Sequence, residues 1–472
     1  MHNRRTEEAR RFHQLTRQTL QGTDLAQTES RLPRVAKTHR DLPGIFLDQD
    51  FFLPSVPALA AVGSPESTED NAPSLNEVSA ALFSISRKPT PIEAYMVCTD
   101  LPDIEAGIYY FHKEEFALRR LRAGDYRPEL AGAAGDNQAV AAAPVSIVLS
   151  AVFDRTVWRD HARAYRSCLL DCGVVAADLL TVMATGQIPC SVELGFVDSK
   201  VNHLLGLDGH GEASLSLLPL GRSLEWAGHA VGRGIAPLSF SGAETTCPSA
   251  GAMHAASALL QDEEVRPWRG SCVRPPAAPQ NRILPFDVAP QNSLRLSDVM
   301  TRADSPTRCA AGPLGGAELS AILWNATRGV PADFLDGPET SLLDLYLVAD
   351  GVEDLDSGAY SFSPAGKFLE EIRSGSVGEE AAGLLFANSV PGAGVVIFLF
   401  SDLGATLERF GNRGYRALHI EAGILGEKLS LCARSLKLDA VNLAFDEDKA
   451  AGFFSPHAKG KEAVYALALT GV

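Results

Sequence analysis

Cysteine and histidine, the side chains that most often do chemistry, are scattered along this chain. No two cysteines form a CxxC pair, and none has further metal ligands nearby in sequence. Cys168 and Cys172 are four residues apart in an apolar helical pattern, so they share a helix face, and we predict that both are buried. The sequence therefore predicts no metal centre. The eight cysteines are at positions 98, 168, 172, 190, 247, 272, 309 and 432.

Motifs for nucleophilic catalysis and for phosphate cradles are also missing. The sequence contains no Gly-x-Ser-x-Gly, no P-loop and no GxGxxG. The histidines at 161, 203, 254 and 419 belong to no catalytic pattern, and we expect them to be packing or surface residues. A function must therefore be sought in the elements that organise the chain.

Length and charge narrow the classes of protein. The chain has 472 residues, 46% of them apolar, with 42 basic and 58 acidic side chains and a net charge of −16. This length suffices for two domains with full cores. A protein that binds nucleic acid usually shows a basic face, and none is visible, so we predict no nucleic-acid partner. An anionic cofactor would need local arginines to hold it against the overall charge.

The sequence shows neither the long apolar run of a membrane span nor the apolar core of an export signal. No apolar run reaches the roughly 18 residues that a membrane span needs, and the longest, 394–400, is typical of a buried strand. Residues 1–8 are charged and lack the apolar core of a signal peptide. We therefore expect a cytoplasmic protein with no membrane partner.

The chain repeats itself over about 90 residues. The second member of each matching pair of segments follows the first by 250 or 251 residues. A period of this length indicates a duplicated domain. The pairs are a Gly-x-Tyr-x-Phe segment at 107–111 and Gly-x-Tyr-x-Phe at 358–362, an apolar run at 144–149 and 394–399, and Arg-x-Tyr-Arg at 163–166 and 413–416.

Each copy predicts the same series of elements. A hairpin precedes a short β-rich run, at 145–153 in the first copy and at 395–400 in the second. A long helix follows, at 162–185 and at 413–435. The first of these helices is apolar almost all round, which predicts burial in the middle of a dimer-like core. Short strands that alternate with helices predict an α+β fold.

Composition also suggests where the domains end. We predict an N-terminal extension at 1–60, a first domain at 61–230, a linker at 231–295 and a second domain at 296–472. The linker contains a helix and a proline-rich stretch at 266–295, which favours extended chain.

The repeat unit resembles the nitroreductase-like flavoprotein fold and, more narrowly, the SagB/ThcOx-type dehydrogenases of ribosomal peptide natural-product pathways. Gly-x-Tyr-x-Phe at 107–111, the Val-Phe-Asp-Arg-Thr-Val-Trp segment at 152–158 and the Arg-x-Tyr-Arg helix starts carry the resemblance. Further similar segments are at 12–16, 42–45, 204–207, 219–222 and 253–257.

The resemblance implies a fold and an activity. Two tandem nitroreductase-like domains would form an intramolecular pseudo-dimer that binds FMN between them. The family oxidises thiazoline or oxazoline rings of a precursor peptide to azoles. The implied partners are a modified precursor peptide and a cyclodehydratase or other biosynthetic enzyme, and a homodimer is left open.

The resemblance also implies arginines for the FMN phosphate. Arg302, Ser305 and Arg308 stand at the start of the second copy, although they are spaced more widely than in the family and Asp304 adds a negative charge. Arg222 follows the last strand of the first copy, where the fold often has another phosphate ligand. The first copy otherwise offers only Arg34, Lys37 and Arg40.

The family's catalytic Lys-Tyr pair is replaced in both copies. The first copy has Arg159 and Asp160 at this place, and the second has Arg409 and Phe410. Arginine stays protonated and phenylalanine transfers no proton, so only Asp160 can serve as a base.

The segment that meets the isoalloxazine ring is also altered. It is glycine-rich in the family, but here residues 188–195 and 440–445 carry bulky side chains, which leave less room for backbone amides to reach a flavin. Asn442 in the second segment is a predicted cofactor ligand. The Pro-x-Glu-x-Tyr strand at 91–95 is present, but the family's Pro-Ser-Ser/Ala-Gly loop before it is not.

Two functions of different class follow. The chain is an FMN-dependent oxidoreductase that uses a different base, or a catalytically degenerate paralogue that has lost flavin and binds an active enzyme. A general nitro- or quinone-reductase is a third reading.

Overall fold

The computed structural model of the chain describes residues 2–18, 50–52, 71–87, 90–223, 248–270, 279, 281–285, 314–337, 340–386 and 394–470. Over these residues the chain forms two antiparallel sheets with helices packed against them, which confirms the predicted α+β class. One apolar core contains residues from both sheets and from the two longest helices.

The first copy supplies a six-stranded sheet. Its strands are β1 (Asp50–Phe52), β2 (Ile92–Cys98), β3 (Gly107–His112), β4 (Ala117–Ala123), β5 (Val145–Val152) and β6 (Glu212–Leu220). Their order across the sheet is β1-β4-β3-β2-β5-β6. The helices of this copy are α1 (Glu7–Leu15), α2 (Leu75–Arg87), α3 (Arg127–Ala133), α4 (Gln138–Ala142), α5 (Asp154–Asp160), α6 (Ala164–Thr185) and α7 (Asp198–Leu205).

The second copy repeats this plan with seven strands. Its strands are β7 (Ile283–Pro285), β8 (Asp344–Ala349), β9 (Gly358–Ser363), β10 (Phe368–Ser374), β11 (Val395–Ser401), β12 (Asp439–Asn442) and β13 (Glu462–Thr470). Its helices are α8 (Pro248–Ala256), α9 (Asp262–Trp268), α10 (Gly316–Ala326), α11 (Gly378–Ala382), α12 (Leu403–Phe410), α13 (Arg413–Ser435) and α14 (Glu447–Phe453).

The strand order shows the duplication directly. The second sheet runs β12-β13-β11-β8-β9-β10-β7, and without β12 this is the order of the first sheet. Residues 190–193 of the first copy correspond to β12 and pair with β6 only through the isolated bridges Cys190–Leu220 and Glu193–Leu217. The chain is therefore two tandem copies of one fold.

Two edge strands come from segments outside the predicted domains. Strand β1 lies in the predicted N-terminal extension and pairs with β4, and β7 lies in the predicted linker and pairs with β10. Boundaries at residues 61 and 296 therefore leave out one strand of each sheet.

The long helices α6 and α13 pack on each other at the centre of the molecule. Gly173 and Gly423 meet where they cross, and a Cβ on Gly173 would lie 2.1 Å from the carbonyl oxygen of Ile420. The segment His161–Thr185, which includes α6, is long and apolar enough to cross a membrane, but most of its apolar stretch is buried inside the protein. Its apolar character is explained by this core position. Cys168 and Cys172 are fully buried on it, which confirms the prediction.

Each long helix begins with two arginines that cross to the other copy. Arg413 and Arg416 of α13 hold Asp198, the first residue of α7, with N–O distances of 2.6 and 2.8 Å. Burial alone would raise the pKa of Asp198, but the two guanidinium groups outweigh it and hold the pKa below its usual value.

The reciprocal contact is present at the start of α6. Arg163 and Arg166 hold Glu447, the first residue of α14, with N–O distances of 2.9 and 3.1 Å. Burial again opposes the charge of Glu447, and the arginines again keep its pKa low. The Arg-x-Tyr-Arg motif thus joins the two copies through two crossed ion-pair clusters.

One connection breaks the symmetry between the copies. In the first copy α2 ends at Arg87, and β2 begins at Ile92. In the second copy α10 ends at Ala326, and β8 begins only at Asp344. Part of this longer connection, 331–333, lies against residues 192–195 of the first copy.

Candidate functional site

The second-copy edge, which we define as residues 439–445, presents backbone N–H groups at the rim of the sheet. Leu443 donates its N–H to the carbonyl of Ala466, and the register alternates along β12. The N–H groups of Asn442 and Ala444 therefore point away from β13. Both residues are exposed, and among the residues that the structure describes the Ala444 N–H has no acceptor.

The outward side of this edge is paired at one end. Phe386 donates its N–H to the Ala444 carbonyl at 3.1 Å, and Leu385 forms a bridge with Phe445. Leu443 packs into the apolar cluster around Phe398 and Phe445. Asn442 accepts a hydrogen bond of 2.6 Å from the Tyr465 hydroxyl through its Oδ1. Bulk at these positions therefore obstructs the edge less than the sequence suggests.

The Tyr465 phenol, which donates to Asn442, is buried near acidic side chains. Burial raises the pKa of the Tyr465 phenol, and the carboxylates of Glu427 and Asp171 add to the rise. Asp171 belongs to α6 of the first copy, so a charge from one copy acts on the Tyr465–Asn442 pair of the other.

Arg159 and Asp160, the residues at the family's catalytic position, lie at the end of α5. Arg159 donates to both oxygens of Asp160, at 2.9 and 2.8 Å, and its side chain is about half exposed. The hydrogen bond to Asp160 raises the pKa of Arg159, and Asp171 contributes to the same rise. The Arg159–Asp160 pair is therefore an intact ion pair at the end of α5 in the first copy.

A buried lysine supports the turn that precedes β2. Lys113 donates to the carbonyls of Thr90 and Ile92 and lies 3.7 Å from Glu93. Burial lowers the pKa of the Lys113 ammonium, and Glu93 opposes this effect. Glu93 also pairs with Arg155 and accepts a hydrogen bond from Tyr110. No sequence motif marks Lys113.

The first-copy edge, residues 190–195, is occupied by the second copy. Val192 donates its N–H to the Pro331 carbonyl at 2.8 Å. The N–H groups of Leu194 and Gly195 donate to the two oxygens of Asp333, at 2.9 and 2.7 Å. The positions that correspond to the outward amides of Asn442 and Ala444 are therefore satisfied by the chain itself.

Asp333 is itself held in a buried cluster. Arg269 donates its Nε–H to Asp333 at 3.2 Å and also donates to the carbonyls of Ala134 and Gly195. Glu193 lies behind the edge, and burial together with Asp333 raises its pKa to about 8. Asp333, Arg269 and Glu193 carry no motif that could have singled them out.

Two further predicted residues lie on the first-copy side. Arg409 donates to the carbonyl of Arg269 at 3.2 Å and stacks on Phe410, so it lies close to the cluster around Asp333. Arg222 is exposed and pairs through its backbone with Asn71, beside the turn at Gln187. The structure therefore places Arg409 and Arg222 near the first-copy edge and Asn442 on the second-copy edge, whereas Arg159 and Asp160 lie at the end of α5.

The remaining predicted phosphate ligands lie outside the described residues. These are Arg302, Ser305 and Arg308, together with the first-copy cations Arg34, Lys37 and Arg40. Their role as phosphate ligands stays a prediction. Among the residues that the structure describes, no group of three metal-ligating side chains occurs.

Comparisons with known proteins support this reading of the fold. No protein-family model matches the chain. The chain is 29% identical to a Methanocaldococcus jannaschii protein named "putative nitroreductase" over 136 aligned residues. The alignment covers 29% of this chain and 67% of that protein. It also resembles a chain of the E. coli microcin synthetase McbBCD complex, with 16% identity, a TM-score of 0.32, and coverage of 41% of this chain and 79% of that one.

A solved structure matches the whole molecule. The crystal structure of a "putative nitroreductase" from Anabaena variabilis superposes with a TM-score of 0.73 and 21% identity, covering 98% of this chain and 99% of that one. The similarities support the nitroreductase-like fold, and the protein is an α+β chain of two tandem nitroreductase-like domains that form an intramolecular pseudo-dimer.

Proposed function

We propose that the protein is an FMN-dependent oxidoreductase whose flavin lies at the second-copy edge. The observation that carries the proposal is the pair of outward N–H groups at Asn442 and Ala444 on an exposed strand edge. Two adjacent donors of this kind fit the polar rim of a flat heteroaromatic ring. The fold supports the same class of protein, since its similarities are to proteins named as nitroreductases.

The proposed phosphate ligands belong to the same copy as this edge. Arg302, Ser305 and Arg308 would supply two guanidinium groups and a hydroxyl to the FMN phosphate. A buried dianion needs such cations, and the net charge of −16 makes local arginines necessary.

The proposed reaction is the oxidation of an azoline ring in a modified peptide to an azole. The ring loses a proton and a hydride, and FMN, when bound, supplies the hydride acceptor that oxygen then reoxidises. Asp160 is the side chain at the catalytic position that can accept the proton. Arg159 donates two hydrogen bonds to Asp160, which fixes the position of its carboxylate. A cyclodehydratase or another biosynthetic enzyme would deliver the azoline peptide.

The first test is whether the purified chain carries FMN. We expect a flavin absorption spectrum and release of FMN on denaturation. Arg302→Ala and Arg308→Ala should each weaken FMN binding by about tenfold or more, because each removes a charge-assisted hydrogen bond to the phosphate. Arg282→Ala is the matched control, since Arg282 is an exposed arginine that pairs with Glu371 on the opposite edge of the sheet.

One observation favours the second reading, a degenerate paralogue. Asp160, the only proton acceptor at the catalytic position, is neutralised by Arg159, and its counterpart in the second copy is Phe410. A folded protein that is colourless and takes up no added FMN would support a role as a binding partner of an active enzyme. An FMN-loaded chain that oxidises no azoline peptide but reduces nitroaromatics or quinones would support a general reductase.

A further inference from the structure

The connection from α10 to β8 reaches across to the first copy. Its residues 331–333 run alongside 192–195, with a parallel bridge between Val192 and Ala332. Val192 donates to Pro331, and Asp333 returns a hydrogen bond to the carbonyl of Val192 at 3.1 Å. The first-copy edge is therefore extended by a short piece of the second copy.

The bonds of this segment fall on the amides that a ligand would use. Val192 and Leu194 of the first copy stand where Asn442 and Ala444 stand in the second, because Glu193 and Leu443 each donate to the last strand of their own sheet. Pro331 and Asp333 accept the hydrogen bonds of Val192 and Leu194.

Asp333 occupies this position as a built-in acceptor. Its side chain is only 4% exposed, it accepts from two adjacent amides, and Arg269 balances its charge. The two amides and Arg269 meet the hydrogen-bonding capacity of this carboxylate and lower its pKa, although burial outweighs them and leaves the pKa of Asp333 above its usual value.

We infer that the chain closes its own first-copy edge, with 331–333 as an internal plug and Asp333 as an internal ligand, so that any flavin binds only at the second-copy edge. The inference rests on the proposed function for the identity of the ligand, but the closed edge itself stands on the hydrogen bonds of Asp333. Of the two sheet edges that the duplication creates, the first-copy edge therefore serves the packing of the two copies and binds no ligand.

Backbone amide exchange, read by mass spectrometry on the full chain, tests the plug without any cofactor. In Asp333→Ala we expect peptides covering 188–197 to exchange about tenfold faster or more, the factor expected when hydrogen bonds to a charged acceptor are lost. Peptides covering 438–446 should not change. Asp336→Ala is the matched control, because Asp336 is an exposed acid on the same connection. Asp333→Asn, which keeps the size of the side chain, should give a smaller acceleration.

Titration of the same proteins with FMN separates the inference from the proposed function. We expect at most one FMN to bind per wild-type chain. Bound FMN should slow amide exchange in peptides covering 438–446 and leave exchange in peptides covering 188–197 unchanged. Two FMN per chain, or FMN protection at 188–197, overturns the inference, and so does unchanged exchange at 188–197 in both Asp333 variants. If no FMN binds but Asp333→Ala speeds exchange at 188–197, the proposed function fails and the plug stands.

Discussion

Glu193 is a buried acid whose pKa differs between the folded protein and the unfolded chain. Ser191 donates to one of its oxygens at 2.6 Å and Asn137 to the other at 2.5 Å, and the side chain is almost fully buried. Burial and the neighbouring Asp333 raise its pKa from 4.5 to about 8. The folded protein therefore holds a proton here at neutral pH that the unfolded chain has already released.

This difference predicts a pH dependence of stability. An acid whose pKa is raised on folding stabilises the fold fully below its unfolded pKa, so the free energy of unfolding should fall as pH rises from about 4.5 to about 8, by up to about 1.4 kcal/mol per pH unit. Glu193→Gln should flatten this slope and leave the protein more stable than wild type at pH 8. Urea unfolding at several pH values measures it.

The control for this prediction is Glu263→Gln, which removes an exposed acid. It should leave the slope unchanged. A Glu193→Gln protein with the wild-type slope would show that Glu193 is not the group that titrates.

At the residue scale, sequence reasoning found positions that belong to a pattern and missed those that act across the fold. Asn442 and Arg159 could be singled out from the sequence because each lies at a fixed place in the repeat. Asp333 was not, because its partners are backbone amides of another copy, and a backbone amide leaves no trace in the sequence.

At the scale of elements, the crossing of α6 and α13 depends on two small residues. A Cβ on Gly173 would lie 2.1 Å from the Ile420 carbonyl, and a Cβ on Gly423 would lie 2.1 Å from the Leu170 carbonyl. Both obstacles are backbone atoms, which cannot rotate away as a side chain can. The helices can approach this closely only because both positions are glycine.

We therefore expect Gly173→Ala to destabilise the protein by about 1–3 kcal/mol or more, since overpacking of this kind forces the backbone to move. Gly132→Ala on α3 is the matched control. It meets no atom within 4 Å and should leave stability unchanged or raise it by about 0.4–1 kcal/mol. Thermal and urea unfolding measure both, and equal effects of the two substitutions would contradict the close-packed crossing.

Long elements could be predicted better than short ones. Helix α13 has the predicted bounds and α6 begins two residues later than predicted, because apolar residues recur along more than twenty positions. Strands β1 and β7 are three residues each and carry no periodic signal, so they were assigned to an extension and a linker. Their pairing is decided by the neighbouring hairpin strand.

At the scale of the whole molecule, the crossed ion pairs hold the two copies together. Arg413 and Arg416 are fully buried, and Asp198 is the acid that pairs with both. Taking away one partner of a buried cluster leaves charges that no solvent compensates.

Asp198→Ala should therefore lower the free energy of unfolding by about 3–5 kcal/mol. The control is Asp262→Ala, which breaks the exposed ion pair with Lys200 and should cost at most about 1 kcal/mol. Urea unfolding of the full chain gives both values. A loss for Asp198→Ala no larger than that of the control would argue against the arginine cluster as the link between copies.

The duplication and the pseudo-dimer were predicted from the sequence, but the partners of the crossed arginines were not. The motif Arg-x-Tyr-Arg indicates two cations at the start of one helix. Their acidic partners, Asp198 and Glu447, are more than 200 residues away in sequence from the arginines that bind them. Only the packing of the two copies brings these groups together.

The internal plug has a consequence for how such a chain can evolve. In a dimer of identical subunits, symmetry makes every contact occur twice, so an acid that filled one cleft would fill both and abolish the site. Fusion of two genes removes that constraint, because Pro331 and Asp333 can change in one half only. A dimer built from two second halves would be closed at both clefts, and one built from two first halves would lack the plug at both. Asymmetry of this kind is open only to a fused chain.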